Sequence, residues 1–165
     1  MPKFTLPFND VPTESGATKD LYTTVAALIV ADTAGHRCRV LAINIGCDDD
    51  TPTDRAVSVK LARIADVSAG AAGTKTAVTG ANMAKTDPNS VNSIVTGGRI
   101  YTAEPTAYET EPLFEQPFNL RSGFIKEWPE NDAKIADRDM LIGVLVAPRT
   151  ANIARVSGSI EFEVY

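Results

Sequence analysis

The side chains able to do chemistry are few and scattered. His36 is the only histidine, and it stands beside Arg37 with no acidic or nucleophilic neighbour to complete a relay. Such a lone imidazole at a turn is expected to be a solvated or capping group. One histidine and two cysteines supply too few ligands for zinc. Cys38 and Cys47 bracket the apolar run CRVLAINIGC, read as one strand, so they are expected on opposite faces and roughly 30 Å apart, out of disulfide reach. They read as small buried hydrophobes and as free thiols of a reducing compartment. The densest charge is Asp48, Asp49, Asp50 and Asp54 in GCDDDTPTD. Carboxylates crowded in a loop suit Ca²⁺, but the order lacks the central Gly and closing Glu of an EF-hand. Aspartates also favour turns, so a solvated hairpin loop is the simpler expectation. Glu109, Glu111 and Glu115 alternate, which suggests the outer face of an edge strand; glycoside hydrolysis would need two of them facing across a cleft. Gly97 and Gly98 belong to no phosphate-cradling motif. The expectation is a non-enzyme with no catalytic residues, no cofactor and no metal.

Partners are narrowed in the same way. The net charge is -5, and the 16 basic residues are scattered singly, so no stripe exists to neutralise a row of phosphates. The apolar runs at 26–31 and 140–147 fall well short of the ~20 residues of a membrane-spanning helix. The start, MPKFTLPFND, has no signal-peptide pattern. Nucleic acid, membrane and small-molecule substrate are therefore not expected partners, and assembly in a cytoplasm is. A chain of 165 residues, 44% hydrophobic and 22% charged, is enough for one packed domain.

Residues 1–20 read as an extended arm, because Pro2, Pro7 and Pro12 interrupt any ladder and TESGATKD is polar. Phe4, Leu6 and Phe8 alternate along it, three large apolar groups on one side. They are expected either to pack on the arm's own domain or to dock on a neighbouring subunit, and they are the candidate site residues. Residues 21–165 form the second unit, where the period is two. The run at 22–31 is apolar on both faces, as in a strand covered on both sides or lying at a subunit contact. Strands at 36–47 and 56–64 look like a long-looped antiparallel pair. Residues 66–80 suggest an exposed loop or weak edge strand. One short helix is expected after Asp87 as N-cap and Pro88 at the first position, with Val91, Ile94 and Val95 at helical spacing, stopped by Gly97 and Gly98. Prolines 105 and 112 belong at edges. In 118–128 Phe118, Leu120, Phe124 and Trp128 share a face, 139–147 is a buried central strand, and 156–165 alternates with one wet face.

The whole predicts an all-β antiparallel β-sandwich, of which the eight-stranded jelly roll is the commonest viral form. The expected core comprises Leu41, Ile43, Ile45, Val57, Val59, Leu61, Phe118, Leu120, Phe124, Ile142, Val144, Val146, Ile160 and Phe162. Three stretches carry a family resemblance: RVLAINIGCDDDTPTDRAVSVKLARI, FNLRSGFIKEWPEN, and DMLIGVLVAP with VSGSIEFEVY. Over residues 21–165 the chain resembles the jelly-roll capsid decoration (cement) proteins of tailed bacteriophages. The resemblance implies a homotrimer on the capsid exterior that clamps major capsid protein subunits and stabilises the virion. This chain departs from shorter members by its proline-broken arm and an insertion around ANMAKTDPNSV. The alternatives are a carbohydrate-binding sandwich using Trp128 with Tyr101 or Tyr108 on one exposed face, or another structural part of a phage tail.

Overall fold

The computed structural model of the chain describes residues 1–13, 22–31, 36–48, 56–67, 72–91, 93, 95–148 and 155–165. Its strands are β1 (Lys3–Pro12), β2 (Thr23–Ile29), β3 (Cys38–Cys47), β4 (Ala56–Ile64), β5 (Thr74–Val78), β6 (Ala84–Lys85), β7 (Thr96–Ala103), β8 (Phe114–Asn119), β9 (Phe124–Glu127), β10 (Lys134–Ala136), β11 (Leu141–Pro148) and β12 (Arg155–Val164). A front sheet runs β10-β3-β12-β1-β6, with β9 also paired to β3, and a back sheet runs β5-β7-β2-β11-β4-β8. Every pairing is antiparallel, and the inner faces of the two sheets enclose one apolar core. This is the β-sandwich that the alternating sequence predicts.

Alternation dictates which face of a strand is buried, not which strand lies beside it. The expected pairing of 36–47 with 56–64 is accordingly wrong: β3 lies in the front sheet and β4 in the back sheet. Ile43 and Ile45 of β3 and Val57, Val59 and Leu61 of β4 contribute to the same core from opposite sides.

Local irregularities move several residues off their expected faces. The register of β12 on β3 slips so that Glu161 faces Ala42 but Phe162 faces Val40, leaving Leu41 as the extra residue of a bulge. Leu41 is therefore only half-buried, while Cys38 and Val40 turn inward in its place. The same slip brings both cysteines to one side: Cys38 is in the core and Cys47 packs against it, not on the opposite face as expected. Residues 118–128 are likewise not one strand. The chain leaves the back sheet at Asn119, whose Oδ1 accepts from the Arg121 N–H at 2.9 Å, makes a 3-10 turn over Leu120–Ser122, and passes through Gly123 at φ +70 into β9 of the front sheet. A left-handed φ there suits glycine. Phe118, half-buried, still meets Phe124 across the corner at 5.2 Å between ring centroids.

No α-helix occurs among the described residues, and the expected one after Asp87 is a turn. The Asp87 carboxylate accepts from Asn89 N–H at 2.9 Å and its carbonyl from Ser90 N–H at 3.0 Å, which caps the turn as anticipated. Val91, 77% exposed, offers no buried stripe to extend it. Ile94 lies outside the described residues. Gly97 and Gly98 stop no helix; they belong to β7, where a Cβ on Gly97 would sit 2.8 Å from Leu6 Cδ2.

The N-terminal segment is extended, but it is an integral strand and not an arm. β1 lies between β12 and β6, and Phe4, Leu6 and Phe8 are 1%, 0% and 0% exposed in the chain's own core. Phe4 stacks on Phe162 at 5.6 Å. These three side chains are thus unavailable to a capsid or neighbouring subunit. The prolines fit because β6 covers only Phe4 and Thr5. Pro2 C=O accepts from Val164 and Lys3 C=O from Thr86, so even residues of β1 face β12 and odd ones face away. Pro7 therefore lacks its N–H on the open side, where no ladder needs it.

The run at 22–31 is covered on both sides by this chain itself. Val25, Ala26 and Leu28 join the main core, and Ala27 lies with Ile64 and Leu141 under Val67, Ala72, Tyr101 and Tyr108 on the back sheet's outer face. A subunit contact is not needed to explain it.

Candidate functional site

The residues with chemical potential are spent on structure or stand apart. His36 is exposed beside Pro2, Phe4, Val91, Ser93, Val164 and Tyr165, with no acidic side chain among them. Asp48 Oδ2 accepts from Asp10 N–H at 2.9 Å and from Ser157 Oγ at 2.5 Å, fastening the bulge where Asp10 takes φ +51. Asp49, Asp50 and Asp54 lie outside the described residues. Among the described residues no three His, Cys, Asp or Glu side chains gather as metal ligands. Glu109 accepts from Arg63 Nε at 3.0 and 3.1 Å, and Glu115 pairs with Lys60 at 3.6 Å. Only Glu115 of the alternating glutamates stands on an edge strand; Glu109 and Glu111 precede it. Burial pushes the Cys38 thiol up to about 12.

No exposed aromatic platform forms from the expected residues. Trp128 is 5% exposed and edge-on to Phe114 at 5.6 Å. Tyr108, its hydroxyl 3.0 Å from Thr24 Oγ1, and Tyr101 roof the back sheet; burial raises both phenols far above their usual value.

One surface not spent in this way is the outer face of the front sheet. Cross-strand pairing lays it out in rows: Lys3, Glu163, Arg39, Ile135; then Thr5, Glu161, Ala42, Glu127; then Pro7, Ser159, Asn44, Ile125. In the first row Glu163, 3% exposed, is the exception to the wet face expected of β12. Its carboxylate takes Arg39 Nη2 at 2.6 Å and Nε at 2.7 Å, and Glu130 approaches Arg39 Nη2 at 3.4 Å. The Glu163 hydrogen bond holds the Arg39 guanidinium above its usual pKa. In the second row Glu127 and Glu161 are exposed on either side of the small Ala42. With Glu130 they rim a hollow of about 290 Å³ whose other residues are Lys3, Leu41, Ala42, Trp128 and Pro129.

The edges of the sheets differ in how they are finished. In β4 the carbonyls of Leu61 and Arg63 accept from Leu113 and Glu109, so even residues of β8 bond β4 while Glu115 and Pro117 point their backbone outward. Pro117 thereby removes a donor from the open edge, as Pro7 does on β1. β5 is distorted by register shifts on both sides of Lys75. β9 has no proline and no bulge. Trp128 N–H donates to Leu41 C=O at 2.8 Å, which leaves Phe124 and Lys126 facing β3 and turns the N–H and C=O of Ile125 and Glu127 outward. Ile125 is 69% exposed.

Sequence reading passed over Ile125, Glu127 and Glu161. The alternation of FIKEW placed Phe124 and Trp128 inward and implied that Ile125 and Glu127 face out, but no pattern in one strand says that its far edge is unpaired. Compared with models of protein families and with curated proteins, the chain finds no match.

Proposed function

We propose that the chain is a virion structural protein that decorates and stabilises a phage capsid, binding major capsid protein subunits as a trimer. The observation that carries this reading is the winding of the strands. Leave out the insertion at 74–103 and count β9 with β10 as one; then β1, β2, β3, β4, β8, β9/β10, β11 and β12 become strands one to eight. The pairs β1·β12, β2·β11, β3·β9/β10 and β4·β8 each sum to nine in that count. A single long hairpin rolled into two sheets has this pairing, which supports the jelly-roll reading that the family resemblance implies.

The insertion fits the same picture. β6 extends the front sheet beside β1, and β7 with β5 extends the back sheet beside β2, so the segment widens both sheets on one flank of the sandwich. A small sandwich widened on one flank, with a charged outer face on its front sheet, is suited to sit on a protein lattice. A trimer engaging several coat subunits at once adds modest contacts through effective concentration, with no covalent step. Because Phe4, Leu6 and Phe8 are internal, the coat contact in this reading falls on the sandwich surface. Cryo-microscopy of the purified particle tests it: density for this sandwich on the head, at three-fold positions, is expected. Density on the tail, or none, refutes it, and a strictly monomeric mass in sedimentation equilibrium refutes the trimer.

A further inference from the structure

Among the described residues no strand pairs with the outer edge of β9, and there the front sheet can accept another strand. Two backbone positions, Ile125 and Glu127, point N–H and C=O away from β3, while their side chains stand exposed on the outer face. Edge strands of this kind are usually blunted, and the chain blunts β1 and β8 with Pro7 and Pro117 and distorts β5. On β9 the devices are only its length and its charges, with Ile125 left exposed beside them. Strand addition draws affinity from main-chain hydrogen bonds and specificity from alternate side chains. Those alternate side chains are set here by position: an apolar group opposite Ile125, and a cation opposite Glu127, where Glu161 and Glu130 add negative charge across the hollow over Ala42. Neither Glu127 nor Glu161 has an ion-pair partner among the described residues, whereas Glu163 is taken by Arg39.

We infer that β9 is a docking edge for an extended segment of a partner protein that carries an apolar residue and a Lys or Arg two positions apart, on one face, and adds as a further strand to the front sheet. That the partner is a coat subunit rests on the capsid reading; the chemistry of the edge does not. The geometry also supplies a selective lesion. Ile125→Pro deletes an outward N–H and leaves the bonds of Phe124, Lys126 and Trp128 to β3 in place.

The test uses the ¹⁵N-labelled full chain titrated with a capped peptide of Thr-Val-Thr-Lys repeats, which sets valine and lysine two positions apart on one face, and with its counterpart in which glutamate replaces lysine. Short unordered peptides bear the full cost of ordering, so saturable shifts at roughly millimolar peptide are expected. They should concentrate on the amides of Ile125, Glu127, Ala42 and Asn44, with the lysine peptide preferred. Ile125→Pro should abolish them at an unchanged melting temperature. Glu127→Lys, which leaves the backbone alone and so guards against a folding artefact, should weaken the lysine peptide by roughly fivefold and strengthen the glutamate one, as an opposed charge pair across strands does. Shifts spread over other carboxylates, or binding that Glu127→Lys leaves unchanged, overturn the inference. If the peptide maps to β9 while purified particles lack the protein, the capsid reading falls and this one stands.

Discussion

Deleting residues 2–12 separates a docking arm from a structural strand, and the structure says which outcome to expect. The deletion removes Phe4, Leu6, Phe8 and Val11, all at most 2% exposed. Burying one large apolar side chain stabilises by about 1.5 to 3 kcal/mol, so the three largest alone contribute about 5 to 9 kcal/mol before ordering costs. A domain's whole stability is about 5 to 15 kcal/mol. The loss also strips β12 of one neighbour and exposes the floor beneath Phe162. The truncated protein should be unfolded or aggregated, without the dispersed amide spectrum of the full chain. The milder Phe8→Ala should cost about 3 to 5 kcal/mol. At about 2 to 4 °C per kcal/mol for this size, its melting temperature should fall by about 6 to 20 °C in a calorimetric scan. A truncated protein that melts within a few degrees of the parent refutes the placement of β1 in the core.

Cys38, neutral and buried, should resist alkylation in the native protein while Cys47 reacts, and both should react in denaturant; equal native rates would contradict the burial. The folded thiol titrates at about 12 against an ordinary 9.0, so its stabilising contribution is complete below pH 9.0 and is lost as the pH rises from 9.0 towards 12, visible as a falling melting temperature that Cys38→Ala flattens. Gly143→Ala would place a Cβ 2.2 Å from the Tyr108 hydroxyl and should destabilise markedly. Tyr108→Phe in the same chain should recover part of that loss in a double-mutant cycle, and strict additivity would show that the contact is not the cause.

The sequence revealed faces better than neighbours. Period-two alternation identified Ile43, Ile45, Val57, Val59, Leu61, Ile142, Val144, Val146, Ile160 and Phe162 as core, and each is buried. Leu41 and Phe118 escaped because a bulge and a corner reset the parity, and neither event has a marker in the local pattern. The turn at Asp87 was legible in its capping chemistry, whereas its failure to continue depended on tertiary packing, which leaves Val91 77% exposed and gives a helix no face to bury. The prolines misled for a related reason. Pro7 weakens a strand only on the side its missing N–H faces, and that side happens to be open beyond β6. The outer face of the front sheet was implied residue by residue but could not be assembled without knowing that β12, β3 and β9 lie side by side.

Where the aromatic residues go decides what kind of surface remains. All six phenylalanines and Trp128 belong to the core or pack against it. On the flank opposite the insertion, Phe114, Phe118, Phe124 and Trp128 fill the gap between β8 of the back sheet and β9 of the front sheet. Interfaces built on a few desolvated aromatic anchors draw most of their affinity there, and none of these side chains is free to serve. On the outer face of the front sheet a partner would then be held by backbone at the edge of β9, by exposed aliphatics such as Ile125, and by carboxylates in water. Each such contact is weak and sensitive to salt, because exposed charges are screened within about 8 Å at physiological ionic strength. Attachment by this surface would become firm only when several copies engage together, so a multivalent assembly on a repeating lattice is the setting in which such a sandwich holds tightly.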